Sequence, residues 1–349
     1  MIIFGYISLM AFIRLILPSN TIQKKFYVLL ASLLLFLLSS LRNINFASDT
    51  IGYVARYLTL SHTSIAVLLL NTIKGIGKDP FFYLFAKMIN LAGANFQVWL
   101  ALIAGIFIYT ISKLIVKYSN EPFISIVAFI SLGYFYFSLT GLRQTIALSM
   151  ILISYKYLRD KQLIPFIMLV IFGSLFHTTA IVFIISYPLS NMKVGWKQGV
   201  GILIALILSY FLKDKVLLLL NHLIMGDRYK NYLNQGTSLT MSGFIIQLAI
   251  YIFCLCFKKD ILKADAKNLS LYNLMFLGLI FQAFSTVIAE FFRVSMYFSI
   301  FSIVLIPKAI LSVKNKNIRV IVYLLVLIAL VAYIFWTDDF NGFGFFWQS

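Results

Sequence analysis

Leu139-Thr140-Gly141-Leu142-Arg143-Gln144 opens the stretch whose reading decides the fold, and Pro188 closes it. An apolar run leads from Leu142 to Tyr155-Lys156-Tyr157, and Arg159, Asp160 and Lys161 follow. A second apolar segment comes next, interrupted only by Gly173-Ser174-Leu175-Phe176-His177-Thr178-Thr179. Nearly all of this is compatible with hydrocarbon, so Arg143 and His177 stand out. A charge in a lipid interior is expensive and tends to be functional.

Working outward, the rest of the chain has the same character. Its 349 residues are 62% hydrophobic and only 11% charged, with a mean hydropathy of +0.96. A globular core does not need apolar runs of about 17 to 20 residues, but a bilayer does. The short alternating segments of a β-barrel are absent. The class is an all-α polytopic membrane protein, read as one integral domain over residues 1–349.

Apolar runs place spans at 1–17, 26–41, 99–114, 123–138 and 142–157. Later ones fall at 200–212, 241–257, 271–289, from Glu290 to just before Pro307, and at 320–336. The first run reads as a span and not as a cleavable signal. Leu163–Leu175 and Thr178–Leu189 are only 13 and 12 residues long, roughly 20 Å against a core of about 30 Å. They are either two full spans that borrow flanking residues or a pair that dips in and returns, tolerated only inside protein or against a wet cavity. The total is about twelve crossings, within a range of about ten to twelve.

Two polar stretches separate the spans. Residues 42–97 form a long outer segment in which Ile65–Leu70 and Phe81–Leu91 read as interfacial helices, with Pro80 suited to the first position of the second. Residues 213–240 form a second outer loop.

The formal net charge is +18. In a soluble protein that would suggest nucleic acid; here it reads as topology, and no nucleic-acid partner is expected. Twelve crossings put 17 of the 29 basic residues into loops on one side, the cytoplasmic one by the charge rule. Merging the two short segments into one span would carry the Lys258–Lys267 cluster outside, so an even count is preferred. Arg42, Arg143, Arg228 and Arg293 then lie outside, near membrane ends, where topology does not ask for them. A phosphate-bearing substrate would.

Arg143 sits in the first turn of a helix begun at Thr140 or Gly141. An arginine opposes the helix dipole there, but with the free backbone N–H groups it makes an anion site. Gln144 suits a capping box onto Gly141. His177 suits proton transfer near neutral pH. Glu290 and Arg293 are spaced i,i+3, and Tyr297 continues their face. Asp49 with Tyr53, and Asp227 with Arg228, mark the two outer segments. Cys254 and Cys256 lie in an apolar run on different sides of a helix and read as lipid-facing or packing residues, not as a disulfide or metal site. No Walker motif, dinucleotide fingerprint, zinc-protease pair or serine elbow is present.

The chain resembles the EpsG family of bacterial membrane proteins, related in role to Wzy-type polysaccharide polymerases. The resemblance is carried by Leu41-Arg42 with Asp49 and Tyr53, and by Gly141-Leu142-Arg143-Gln144-Thr145-Ile146-Ala147. Phe176-His177-Thr178-Thr179-Ala180, Asp227-Arg228-Tyr229 and Arg293-Met296-Tyr297-Phe298 continue it in order. Lys78-Asp79-Pro80-Phe81-Phe82 stands where relatives carry an acidic stretch before an aromatic, and Asp79 is placed to play that part.

The resemblance implies a membrane glycosyltransferase of GT-C-like architecture in the bacterial cytoplasmic membrane. It would join oligosaccharide repeat units carried on undecaprenyl pyrophosphate into exopolysaccharide, capsule or O-antigen. Membrane lipid, a chain-length regulator and other assembly proteins are the implied partners; no cofactor, nucleotide or metal is implied. Arg143, Arg293, Arg228 and Arg42 are expected to bind pyrophosphate. His177, then Asp49, then Glu290 are the candidate bases, with Gln144, Tyr53, Asp227 and Tyr297 in support. A transporter or flippase of lipid-linked saccharide is the alternative. It should show internal repeats and paired broken helices, and the sequence has one broken-helix candidate and no repeat. A third reading, a structural partner without chemistry, would leave Arg143 and His177 open to substitution.

Overall fold

In the computed structural model the chain is helical, and the structure describes residues 2–16, 21–77, 79–211, 241–285 and 290–348. Asp227, Arg228 and the second outer loop lie outside the described residues. The chain divides into two compact units, Met1–Ile181 with Val313–Ser349, and Val182–Ser312.

The first unit begins with helices α1 (Ile2–Ile16) and α2 (Thr21–Ser40). Three short helices follow, α3 (Ser48–Thr59), α4 (Ile65–Lys74) and α5 (Pro80–Leu91). The two short apolar pieces read in 42–97 are helical, as α4 and α5, and Pro80 does start α5. The additional helix α3 reads Ser48-Asp49-Thr50-Ile51-Gly52-Tyr53, with apolar residues on one face only, so no apolar run announces it. Buried Lys87 pins this segment by donating to the carbonyls of Leu60 (2.6 Å) and Ser61 (3.3 Å).

Then come α6 (Phe96–Tyr118), α7 (Pro122–Ser131), α8 (Tyr134–Thr140), α9 (Leu142–Arg159) and α10 (Leu163–Phe176). The expected span 123–138 is a bent pair, α7 and α8, turning by 50° at Gly133, whose φ of +79° is easy only for glycine. Helix α6 packs between α2 and α9. Lys24 Nζ reaches the Ser119 carbonyl (2.6 Å) and Gln97 Nε2 the Ser40 carbonyl, so α2 and α6 run antiparallel. Arg14 and Glu121 form a two-pronged ion pair, each contact 2.9 Å, across 107 residues of sequence.

At Phe176 the α-helix stops. His177 has extended backbone (φ −153°, ψ 110°), and a 3₁₀ stretch, Thr178–Ile185, leads to the short α11 (Ser186–Leu189). The break foreseen at His177 is therefore real and local.

The second unit holds α12 (Trp196–Phe211), α13 (Ser242–Cys256), α14 (Lys258–Ala264), α15 (Leu269–Phe284), α16 (Glu290–Ser299) and α17 (Ser302–Leu311). Interhelical polar contacts hold it: Gln198 Nε2 donates to Asn273 Oδ1 (2.6 Å), and Tyr251 donates to Gln198 Oε1 (2.8 Å). Such pairs add cohesion where lipid offers no hydrophobic drive. Gly278 is needed because a Cβ there would lie 3.2 Å from Ser299 of α16. The span expected to end before Pro307 runs through it in α17. The change of direction lies earlier, 47° between α16 and α17. Cys254 is buried and Cys256 exposed, and both are free.

The last helix, α18 (Lys316–Thr337), returns to the first unit and packs on α7. Beyond it, Asn43 N–H donates to the Gly344 carbonyl (2.8 Å) and Phe346 N–H to the Leu41 carbonyl (2.9 Å), tying the C-terminal aromatic segment to the end of α2.

Among the described residues, three helices are long and apolar enough to cross a membrane, α2, α6 and α18, or five if each bent pair is one span. Six further apolar stretches are 10–17 residues long, reaching roughly 15–25 Å against about 30 Å of hydrocarbon. The expected apolar segments are thus helical, and the chain is a membrane protein. Twelve full crossings and a GT-C-like arrangement do not follow from these lengths.

Candidate functional site

One end of the first unit brings together side chains from four places in the sequence. Asp79 supplies the centre. Its Oδ2 lies 2.8 Å from His177 Nδ1 and 3.1 Å from Arg143 Nη1. Its Oδ1 accepts from the Thr178 backbone N–H (3.1 Å) and the Thr178 hydroxyl (3.0 Å). Arg143 Nε in turn points to the Tyr53 hydroxyl (3.3 Å), with the guanidinium 5.7 Å from the ring centroid.

Local sequence explains each placement. Asp79 stands just before the proline that starts α5, where an aspartate would ordinarily cap the helix. It makes no cap bond, and its backbone is left-handed (φ 51°, ψ 58°). A residue before proline is pushed away from helical backbone, so this conformation is strained, as functional residues often are. The side chain goes to the site instead of to the cap.

Aromatic packing brings α5 there. Phe81 and Phe85, one turn apart, pack on Phe176 of α10 with centroids 5.0 and 5.7 Å away. Phe82 meets Tyr53 of α3 at 5.7 Å and Trp99 of α6 at 5.5 Å. Gly173 lets α10 lie close on α9, since a Cβ there would be 3.2 Å from both the Ala147 carbonyl and Met150 Cβ. That approach sets His177, one turn on, near Arg143.

Arg143 is in the first turn of α9, which Gly141 begins without a side-chain cap. The Thr140 hydroxyl bonds back to Phe137, and the Gly141 N–H goes to the Phe137 carbonyl (2.8 Å), so Gln144 does not serve it. Gln144 is buried.

Arg42 lies beneath this turn. It is 1% exposed and donates to the carbonyls of Ser39 (2.6 Å) and Leu139 (2.7 Å). Thr50 adds a bond to the same Leu139 carbonyl (3.4 Å). Burial works against its charge and pulls its pKa below the usual arginine value. Two of its guanidinium nitrogens are thus engaged by backbone carbonyls, one at the end of α2 and one just before Gly141, while Nε is buried with no hydrogen-bond partner among the described residues.

The carboxylate of Asp79 accepts four donors and has about four lone-pair sites. Burial alone would raise its pKa. The His177 hydrogen bond and charge, then Arg143 and the Thr178 amide, outweigh burial and hold it below the usual range. It therefore stays ionised and accepts only, so Nδ1 of His177 carries the proton and a neutral ring keeps its lone pair on Nε2. A base steadied by a carboxylate on its far nitrogen is the result.

Of the other sequence candidates, Asp49 is exposed in the first turn of α3, one turn before Tyr53. Glu290, Arg293 and Tyr297 belong to α16 of the second unit. Glu290 Oε2 is buried with no hydrogen-bond partner among the described residues. Arg293 lies 5.8 Å from the Phe292 ring centroid, and Tyr297 is fully buried. Among the described residues, no three His, Cys, Asp or Glu side chains gather to hold a metal ion.

Asp79 and Thr178 are what the ranking of bases by sequence leaves out. An aspartate before a helix-starting proline reads as a cap, and only the resemblance drew attention to it. The signal available was its place between turn glycines and an aromatic helix face.

A helical membrane protein with a buried carboxylate that joins a histidine to an arginine is the class this fold and site define. The chain belongs to the EpsG family, whose sequence model matches residues 25–347. The family connects it to polysaccharide biosynthesis of a polymerase type. No curated protein and no solved structure matches the chain.

Proposed function

We propose that this protein polymerises polysaccharide by joining oligosaccharide repeat units carried on undecaprenyl pyrophosphate, at the outer face of the bacterial cytoplasmic membrane. The observation that carries the reading is the His177–Asp79 pair, 2.8 Å apart, with Arg143 on the same carboxylate oxygen.

His177 Nε2 takes the proton of the acceptor sugar hydroxyl as its oxygen bonds to the donor's anomeric carbon. The bond from that carbon to the pyrophosphate oxygen breaks, and the carrier pyrophosphate leaves with the electron pair. It needs no general acid. Arg143 stabilises the charge growing on it, an effect strengthened in a dry, arranged site. Asp79 fixes the tautomer of His177 and the aim of Arg143. Arg42 supports Arg143 from behind by holding the Leu139 carbonyl. Asp49 remains a second proton acceptor, and Arg293 with Glu290 a second anion and base pair, each testable alone. Arg228 and Asp227 keep the roles implied by the resemblance. Lipid and a chain-length regulator are the expected partners.

The test is reconstitution in liposomes with a matched lipid-linked repeat unit and separation of products on a gel. A ladder from the wild type, lost in His177→Ala and Arg143→Lys, is expected; lysine keeps the charge but not the planar fork. Ladders of undiminished length from both variants would sink the reading.

A further inference from the structure

At the end of the first unit opposite Asp79, a cleft of about 760 Å³ opens between α2 and α9 over α6. That volume is in the range of small-molecule sites, about 300–1,000 Å³. Its walls are apolar and partly exposed, Leu29 from α2 and Ile153 from α9 among them. Lys25, Lys113, Lys117 and Lys156 line it from all three helices, and among the described residues no Asp or Glu does. Lys113 and Lys117 sit i,i+4 on one face, a like-charge spacing that weakens a helix. Tyrosine rings lie near three of the lysines: Lys113 is 4.4 Å from the Tyr109 ring centroid, Lys117 is 5.2 Å from that of Tyr118 and Lys156 is 5.4 Å from that of Tyr157. Rings attract cations but do not neutralise them.

Loop charge asymmetry accounts for lysines at this end of the helices. It does not account for their convergence on one hollow with hydrocarbon walls. Four positive charges above an apolar slot match a molecule with an anionic head and an alkyl chain. We propose that this cleft binds an anionic membrane phospholipid, with its phosphate among the four lysines and an acyl chain along Leu29 and Ile153. The site lies at the far end of α9 from Arg143. Residues 143 and 156 are 13 positions apart, roughly 20 Å along a helix, so it is separate from the site around Asp79. Lysines near an anionic headgroup attract it additively, which gives selectivity without a deep pocket.

The experiment is native mass spectrometry of the purified full chain, exposed to equal amounts of phosphatidylglycerol and phosphatidylcholine of the same acyl length. The expected result is one retained lipid with at least about tenfold preference for phosphatidylglycerol. The triple variant Lys113→Gln, Lys117→Gln, Lys156→Gln should lose the preference, and the corresponding triple arginine variant should keep it. Ile153→Trp, which fills the slot and leaves every charge, should also lose the retained lipid. That variant keeps the test decisive if the glutamine protein fails to fold. Equal retention of both lipids would overturn the proposal, as would an unchanged preference after Ile153→Trp. Retention of an added polyprenyl phosphate in place of phosphatidylglycerol would overturn it too.

Discussion

His177 Nδ1 lies 2.8 Å from Asp79 Oδ2 across 98 residues of sequence. The contact joins the start of one short helix to the end of another and leaves the second imidazole nitrogen as the only one able to accept a proton.

Asp79→Asn should therefore fail as a catalyst while remaining folded. The amide would set its own donor against one of the donors Asp79 now receives and would free the imidazole to adopt the wrong tautomer. In the Ser-His-Asp triad the equivalent change costs about 10⁴ in kcat, and a loss of about 10² to 10⁴ is expected here. Initial rates of product formation in liposomes, with the melting temperature as a control, check it.

Acid should destabilise the wild type through the same residue. The folded carboxylate is held below its unfolded value, which is about 3.9. Its stabilisation is complete above that value and is lost as pH falls through the lower folded one. Melting temperatures measured from pH 6 down to about pH 3 should fall at the acid end. Asp79→Asn should flatten that part of the curve, and an unchanged acid limb in the variant would contradict the assignment.

Gly173→Val should separate α9 from α10. The first added carbon meets the Ala147 carbonyl and Met150 Cβ at 3.2 Å, and overpacking of this kind costs about 1–3 kcal/mol. Since His177 follows one turn later, turnover should fall by more than the loss of folded protein explains. Activity per folded molecule, read beside the melting temperature, separates the two effects.

Arg42→Met keeps bulk and removes both carbonyl bonds. Leaving a buried carbonyl without a donor costs about 1–3 kcal/mol; Ser39 loses its Arg42 donor, and Leu139 keeps only the long Thr50 contact of 3.4 Å. The melting temperature should drop, and the Gly141 turn that presents Arg143 should loosen. Donor KM should rise more than kcat falls. A normal KM with a normal melting temperature would mean that Arg42 does not support the turn.

Much of this molecule could be read from the sequence because a bilayer imposes a local rule. Backbone groups in hydrocarbon must bond within their own segment, so apolar runs had to be helices, and α6, α9 and α18 fall where those runs are. The same rule made Arg143 and His177 visible, since each breaks it. Helix α3 escaped because its apolar residues cover one face only. The bends at Gly133 and between α16 and α17 escaped because hydropathy reports what a segment is made of, not its direction.

What the sequence by itself determined was the helical membrane class, the break at His177 and the two outlying polar residues in and beside α9. Only the tertiary structure decided their partner. Asp79 reaches them because aromatic packing of α5 on α10 and the close approach at Gly173 bring distant segments together, and no periodicity encodes such a meeting. It also separated two arginines that composition treats alike. Arg42 directs two of its nitrogens at backbone carbonyls, whereas Arg143 meets a carboxylate and a phenol. The chemistry of a guanidinium is constant; which acceptors surround it is settled by packing.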